Sequence, residues 1–84
     1  MQRFRVIVIV RMREDLPEPQ GIALEKVLKR IGYQGFSTIR VGKVIEMEVE
    51  GEDIHQVRNN VEGISRKIFS NPVIEDFEIE VREV

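Results

Sequence analysis

Residues 42 and 43 form a Gly-Lys pair, which invites a phosphate-binding reading. A P-loop needs G-x-x-x-x-G-K-[ST] between a strand and a helix, so that backbone amides at the helix start cradle the phosphate. Here Val44 stands where the Ser or Thr belongs, and the pair lies between two strand-like runs. Gly42 is therefore read as the turn of a tight hairpin. His55 is the only histidine; it lies beside Gln56 on the polar side of a helical stretch, which suits a solvated side chain rather than a base or metal ligand. Ser37, Ser65 and Ser70 have no histidine at a spacing that would activate a nucleophile. The carboxylate pairs Glu46/Glu48 and Glu75/Asp76 are of a type that hard cations use, but along strands facing basic neighbours they need no metal. The absence of cysteine excludes disulfides, thiolate zinc sites, iron-sulfur clusters and a cysteine nucleophile. No catalytic, metal or cofactor-binding residue is expected on this chain.

The elements around these residues follow from periodicity. Residues 3 to 12 read as a central strand, because β-branched residues dominate and both faces carry apolar side chains. After Pro17 and Pro19, a helix is predicted from about Gln20 to Ile31, with Leu24, Val27, Leu28 and Ile31 on one stripe and Gly32 as its left-handed end. Residues 36 to 41 and 43 to 50 read as two strands of a hairpin. Asp53 and Gln56 resemble a capping box, followed by a helical stripe of Ile54, Val57, Val61, Ile64 and Ile68 that ends at Ser70-Asn71-Pro72. Val73 to Val81 alternates as a half-buried strand. The order βαββαβ predicts an α+β, ferredoxin-like single domain over residues 1 to 84: a four-stranded antiparallel sheet with both helices on one face.

Charge supports strand 1 as the centre of that sheet. Arg3, Arg5, Arg11 and Arg13 share its outer face with Ile7 and Ile9, while Glu46, Glu48 and Glu50 on one neighbour and Asp76, Glu78 and Glu80 on the other supply acidic flanks. These charges are read as structural. Ile7 and Ile9 are apolar on a face no helix covers, so they are the predicted self-association residues of a homodimer or tetramer. A net charge of -2 argues against a nucleic-acid partner. The apolar run at Val6 to Val10 is too short for a signal peptide or membrane helix, so a soluble, cytoplasmic protein without a membrane partner is expected.

Three stretches resemble the PurS family, the small S subunit of phosphoribosylformylglycinamidine synthase: "EPQG" at 18 to 21, "IRVGKVIEMEVEG" at 39 to 51 and "NPVIEDFEIEV" at 71 to 81. Members read D-P-Q-G or close to it at the first, so Glu18 departs from the pattern. The resemblance implies a non-catalytic subunit of an ATP-dependent ligase of purine biosynthesis, needed to assemble a large synthetase subunit with a glutaminase subunit and to pass ammonia between them. ATP and magnesium would then sit on the large subunit. The same resemblance implies that Pro19, Gln20, Gly21, Arg40, Gly42, Lys43, Asn71 and Pro72 present loop and turn surfaces to those partners. The alternative reading is an ACT-like regulatory domain binding a small molecule, with the loop "LPEPQG" lining its site. An RNA-recognition module shares the topology but needs exposed aromatics on its third strand, where this chain has the acidic "VIEMEVEG".

Overall fold

The computed structural model describes all 84 residues. Strand β1 (Gln2–Met12) is the spine of the molecule. Its even-numbered side chains Phe4, Val6, Val8 and Val10 are fully buried, and its odd-numbered ones face the other way. Strands β2 (Lys43–Gly51) and β3 (Glu75–Glu83) flank it, both antiparallel, in the order β2-β1-β3. The register sets Val8 opposite Ile45 and Ile79, and Val6 opposite Met47 and Val81, so one face is apolar throughout. On the opposite face Ile7 meets Glu46 and Glu80, and Ile9 meets Val44 and Glu78. The basic centre and acidic flanks read from the sequence are thus present. Arg5 reaches Glu46 at 2.8 Å and Arg11 reaches Glu78 at 3.0 Å. Both pairs are largely exposed and contribute at most about 1 kcal/mol each.

Helix α2 (Ile54–Ile64) closes the apolar face. The Asp53 carboxylate accepts from the Gln56 amide at 2.9 Å, and the Gln56 side-chain oxygen accepts in return from the Glu52 amide at 2.6 Å, a reciprocal cap. Val57 and Val61 pack onto the buried residues of β1. The helix then widens into a π-helical turn, Ser65–Phe69, with the Ser70 amide donating to the Ser65 carbonyl. This wider turn keeps Ser65 and Phe69 in line with Val57 and Val61, each four residues on. It leaves Ile64 and Ile68 exposed, so of the predicted stripe only the two valines are core residues.

Two expectations about the architecture fail. The sheet has three strands, not four: residues 36 to 41 form no strand, and the element order is β1, α1, β2, α2, β3. Gly35 and Thr38 hold positive φ angles of 89° and 57°, which break an extended run. The backbone amides a hairpin partner would have satisfied are taken by side chains instead. The Ile39 amide donates to Glu25 and the Val41 amide to Glu18. Nor do both helices lie on one face of the sheet. Helix α1 (Pro19–Arg30) contributes nothing to the core, and Leu24, Val27 and Ile31 are 46, 38 and 61% exposed. It projects from the end of β1 as an arm. The radius of gyration is accordingly 16.5 Å, against about 12 Å for a compact chain of this length, and the longest dimension is 53 Å. The arm's helix ends at Gly32 (φ 101°) as predicted, with the Tyr33 amide on the Leu28 carbonyl and the Gly32 amide on that of Lys29.

Candidate functional site

The root of this arm is built around one carboxylate. Glu18 is the N-cap of α1, with Pro19 at the first helical position, where its missing N–H costs nothing. It is 7% exposed, and its carboxylate accepts from the amides of Gln20 (3.0 Å), Gly21 and, across the gap to the returning chain, Val41 (2.9 Å). The Val41 amide is the largest influence holding this carboxyl below its usual range. Burial pushes the other way, and the amides of Gln20 and Gly21 and the charge of Arg40 add to the lowering.

Neighbouring residues lock the same junction. The Arg40 guanidinium donates to the carbonyls of Arg13 (2.9 Å) and Leu16 (2.7 Å), tying down the loop between β1 and α1. Gly21 lies so close to the Ile39 carbonyl that a Cβ would overlap its oxygen. At Gly42 a Cβ would come within 2.6 Å of the Val10 carbonyl oxygen. Glycine is required at 42 by this close approach and not by a turn, so the hairpin reading of Gly42 is corrected: β2 begins directly at Lys43, paired with Val10. Lys43 lines an open cleft of about 460 Å³ with Pro19, Gln20, Val41 and Glu75.

Of the eight residues singled out in the sequence, Pro19, Gln20, Gly21, Arg40, Gly42 and Lys43 converge here, although 18 intervening residues separate the two segments. Asn71 and Pro72 lie at the adjoining corner. The Asn71 carbonyl accepts from the amides of Ile74 and Glu75, and the Arg13 amide binds the Ile74 carbonyl at 2.8 Å, fixing that loop to the same end of β1. Pro72 itself lines a different groove, with Arg58, Arg66 and Phe77, on the other side of Glu75. Glu18 is the residue the sequence reading passed over, and a carboxylate directly before Pro-Gln-Gly was the available signal of a capping role. Ile7 and Ile9 are half-buried beside the more exposed Val44 on the outer face.

Chemically the junction is a rigid surface of engaged amides and carbonyls with one lysine beside it. No three His, Cys, Asp or Glu side chains gather to hold a metal ion, and His55 is exposed on α2, remote from the junction in sequence. No helix is long and apolar enough to cross a membrane. Such a surface suits recognition.

Comparison with known proteins agrees with the resemblance that the three sequence stretches carry. Residues 5–83 match the family model PurS, described as phosphoribosylformylglycinamidine (FGAM) synthase. The PurS subunit of that synthase from Bacillus subtilis is 33% identical over 81 residues, covering 96% of this chain and 95% of its own. The one from Methanocaldococcus jannaschii is 28% identical, covering 96 and 98%. Its crystal structure superposes with a TM-score of 0.88 at 26% identity, over 96% of this chain and 98% of that one. A chain in the structure of PurLQS from Thermotoga maritima gives a TM-score of 0.86 at 31% identity, with both chains covered completely. A match over nearly the whole length, in both sequence and fold, has one reading: this chain belongs to the PurS family.

Proposed function

We propose that this chain is the small subunit of a phosphoribosylformylglycinamidine synthase of purine biosynthesis. It holds a large synthetase subunit and a glutaminase subunit in one complex and serves the passage of ammonia between them. The carrying observation is the junction itself: residues 18 to 21 and 39 to 43 are knitted by Glu18 and Arg40 into a single rigid surface that leaves Lys43 accessible. A preformed surface binds without an ordering cost, which is what an assembly factor needs. In this reading the chain supplies no reacting group, ATP and magnesium belong to the large subunit, and the nucleophile that releases ammonia belongs to the glutaminase. The chain also associates with itself as a dimer or tetramer, in keeping with its elongated shape and exposed apolar side chains. The loop 16 to 21, which an amino-acid-binding regulatory domain would keep open for its ligand, is closed here on Arg40 and Val41.

The test is glutamine-dependent amidine formation by the large and glutaminase subunits of the source organism, with and without this protein. Activity that requires its addition supports the reading. Unchanged activity refutes it.

A further inference from the structure

The cleft around Lys43 holds two acids, and neither pairs with it. Lys43 is exposed at the first residue of β2, where its pairing with Val10 and the fit of Gly42 against the Val10 carbonyl fix the backbone. Glu18 and Glu75 line the same cleft. The Glu18 carboxylate is taken by the amides of Gln20, Gly21 and Val41, and the Glu75 carboxylate by the Asn71 amide at 2.7 Å. Lys43 makes no ion pair, whereas Arg5 and Arg11 on the neighbouring strand meet carboxylates at 2.8 and 3.0 Å. The Gln20 side-chain amide, on the same cleft, is likewise unengaged. The acids here are occupied by backbone, and the two side-chain donors are not.

We infer that Lys43 and the Gln20 side chain receive a carboxylate side chain of one of the larger subunits, with Glu18 and Glu75 kept off the lysine by the amides they serve. Asn71 thereby acts on Lys43 from the adjoining corner, through Glu75. Two features favour a carboxylate over a phosphate. Helix starts bind phosphate through free backbone amides, and here Pro19 has none while those of Gln20 and Gly21 are engaged by Glu18. Two fixed carboxylates also oppose a doubly charged anion more than a singly charged one. The inference rests on the subunit role proposed above and names the chemistry of its contact.

A water-soluble carbodiimide joins an amine to a carboxylate in direct contact, itself taking up the water that is lost. The wild-type chain is treated alone and in the reconstituted complex with the large and glutaminase subunits, and the links are mapped by mass spectrometry. In parallel, the concentration of this protein giving half-maximal amidine formation is measured for wild type, Lys43→Gln, Lys43→Arg and Lys67→Gln, with far-UV circular dichroism as the folding control. Lys67, exposed on the π-helical turn and unpaired, is the charge control. Each is assayed in about 0.1 M salt, where exposed charges act over roughly 10 Å, and in higher salt, where they are screened further. The expected result is Lys43 linked to an Asp or Glu of a larger subunit in the complex, and to neither Glu18 nor Glu75 in the free chain. Lys43→Gln is expected to raise the half-maximal concentration about tenfold or more at the lower salt and less at the higher, with the saturating rate unchanged. Lys43→Arg and Lys67→Gln are expected to stay near wild type. A Lys43 link to Glu18 or Glu75 in the free chain, a link to a second copy of this chain, or an unshifted Lys43→Gln curve overturns this inference alone. So does a shifted curve with no Lys43 link, the outcome a phosphate ligand would give. Amidine formation that never requires this protein overturns the subunit role as well. The cross-linking uses wild-type protein and carries the test should a variant fail to fold.

Discussion

Gly21 offers the sharpest test of how the junction is held. A methyl group at this position would overlap the Ile39 carbonyl oxygen and sit 2.5 Å from its carbon and 2.9 Å from the Arg40 Cα. All of these are backbone atoms, with no rotamer to turn away. Carbon atoms pack at about 3.5 Å or more, so the two segments must part by about 1 Å. That would stretch the Glu18–Val41 hydrogen bond from 2.9 Å to beyond its working range. Overpacking against fixed backbone costs about 3 kcal/mol, which in a domain of this size lowers the melting temperature by roughly 12 to 24 °C. Gly63 is the matched control: it lies inside α2 at a negative φ, with nothing within 4 Å of an added Cβ. There the same Gly→Ala change removes only chain flexibility, and about 0.5 to 1 kcal/mol of stabilisation is expected. Both variants are melted by circular dichroism, and amide exchange at Val41 is followed in each. A Gly21→Ala protein that melts within a degree of wild type, with Val41 still protected, would refute the close-packed junction.

Other outcomes follow from the same geometry. Glu18 has its carboxyl pKa depressed on folding, so the unfolded chain takes up the proton first; the contribution of this residue is complete above the ordinary carboxylate value of about 4.5 and is lost as pH falls through the lower folded value. Urea titrations of wild type and Glu18→Gln between pH 7 and pH 3 should therefore converge on the acid side, and parallel curves would contradict this. Arg40→Ala removes the donor to the Arg13 and Leu16 carbonyls and is expected to cost about 1 kcal/mol, modest because the side chain is exposed, with faster amide exchange in residues 13 to 17. Lys43→Glu leaves the fold intact and abolishes the stimulation of amidine formation, read by the reconstituted assay beside an unchanged melting curve; full stimulation would remove Lys43 from the partner surface. Val61→Ala opens a cavity against β1 and lowers stability by about 2 to 3 kcal/mol in denaturant titration.

Sequence alone determined what depends on local pattern. β-branched composition in residues 3 to 12 and alternation in residues 73 to 81 identified two strands, because side-chain period and burial are directly linked in a sheet; the second begins at Glu75, two residues later than read. The charge complement identified β1 as the central strand, Pro17, Pro19 and Gly32 bounded the first helix within a residue or two, and Asp53 marked the start of the second. The family motifs pointed to the residues of the junction without showing that they meet.

Tertiary structure decided what depends on competition between partners. Residues 36 to 41 have strand-like composition, but their amides went to Glu18 and Glu25, two acceptors distant in sequence that no local rule weighs. The stripe on α1 reads as core-facing, since periodicity reports that a face is to be buried and not against which chain. A π-helical turn turned Ile64 and Ile68 outward, a change of pitch invisible in a 3.6-residue pattern. Gly42 likewise looked like a turn because glycine serves turns and close approaches equally well, and only the position of the Val10 carbonyl separates the two.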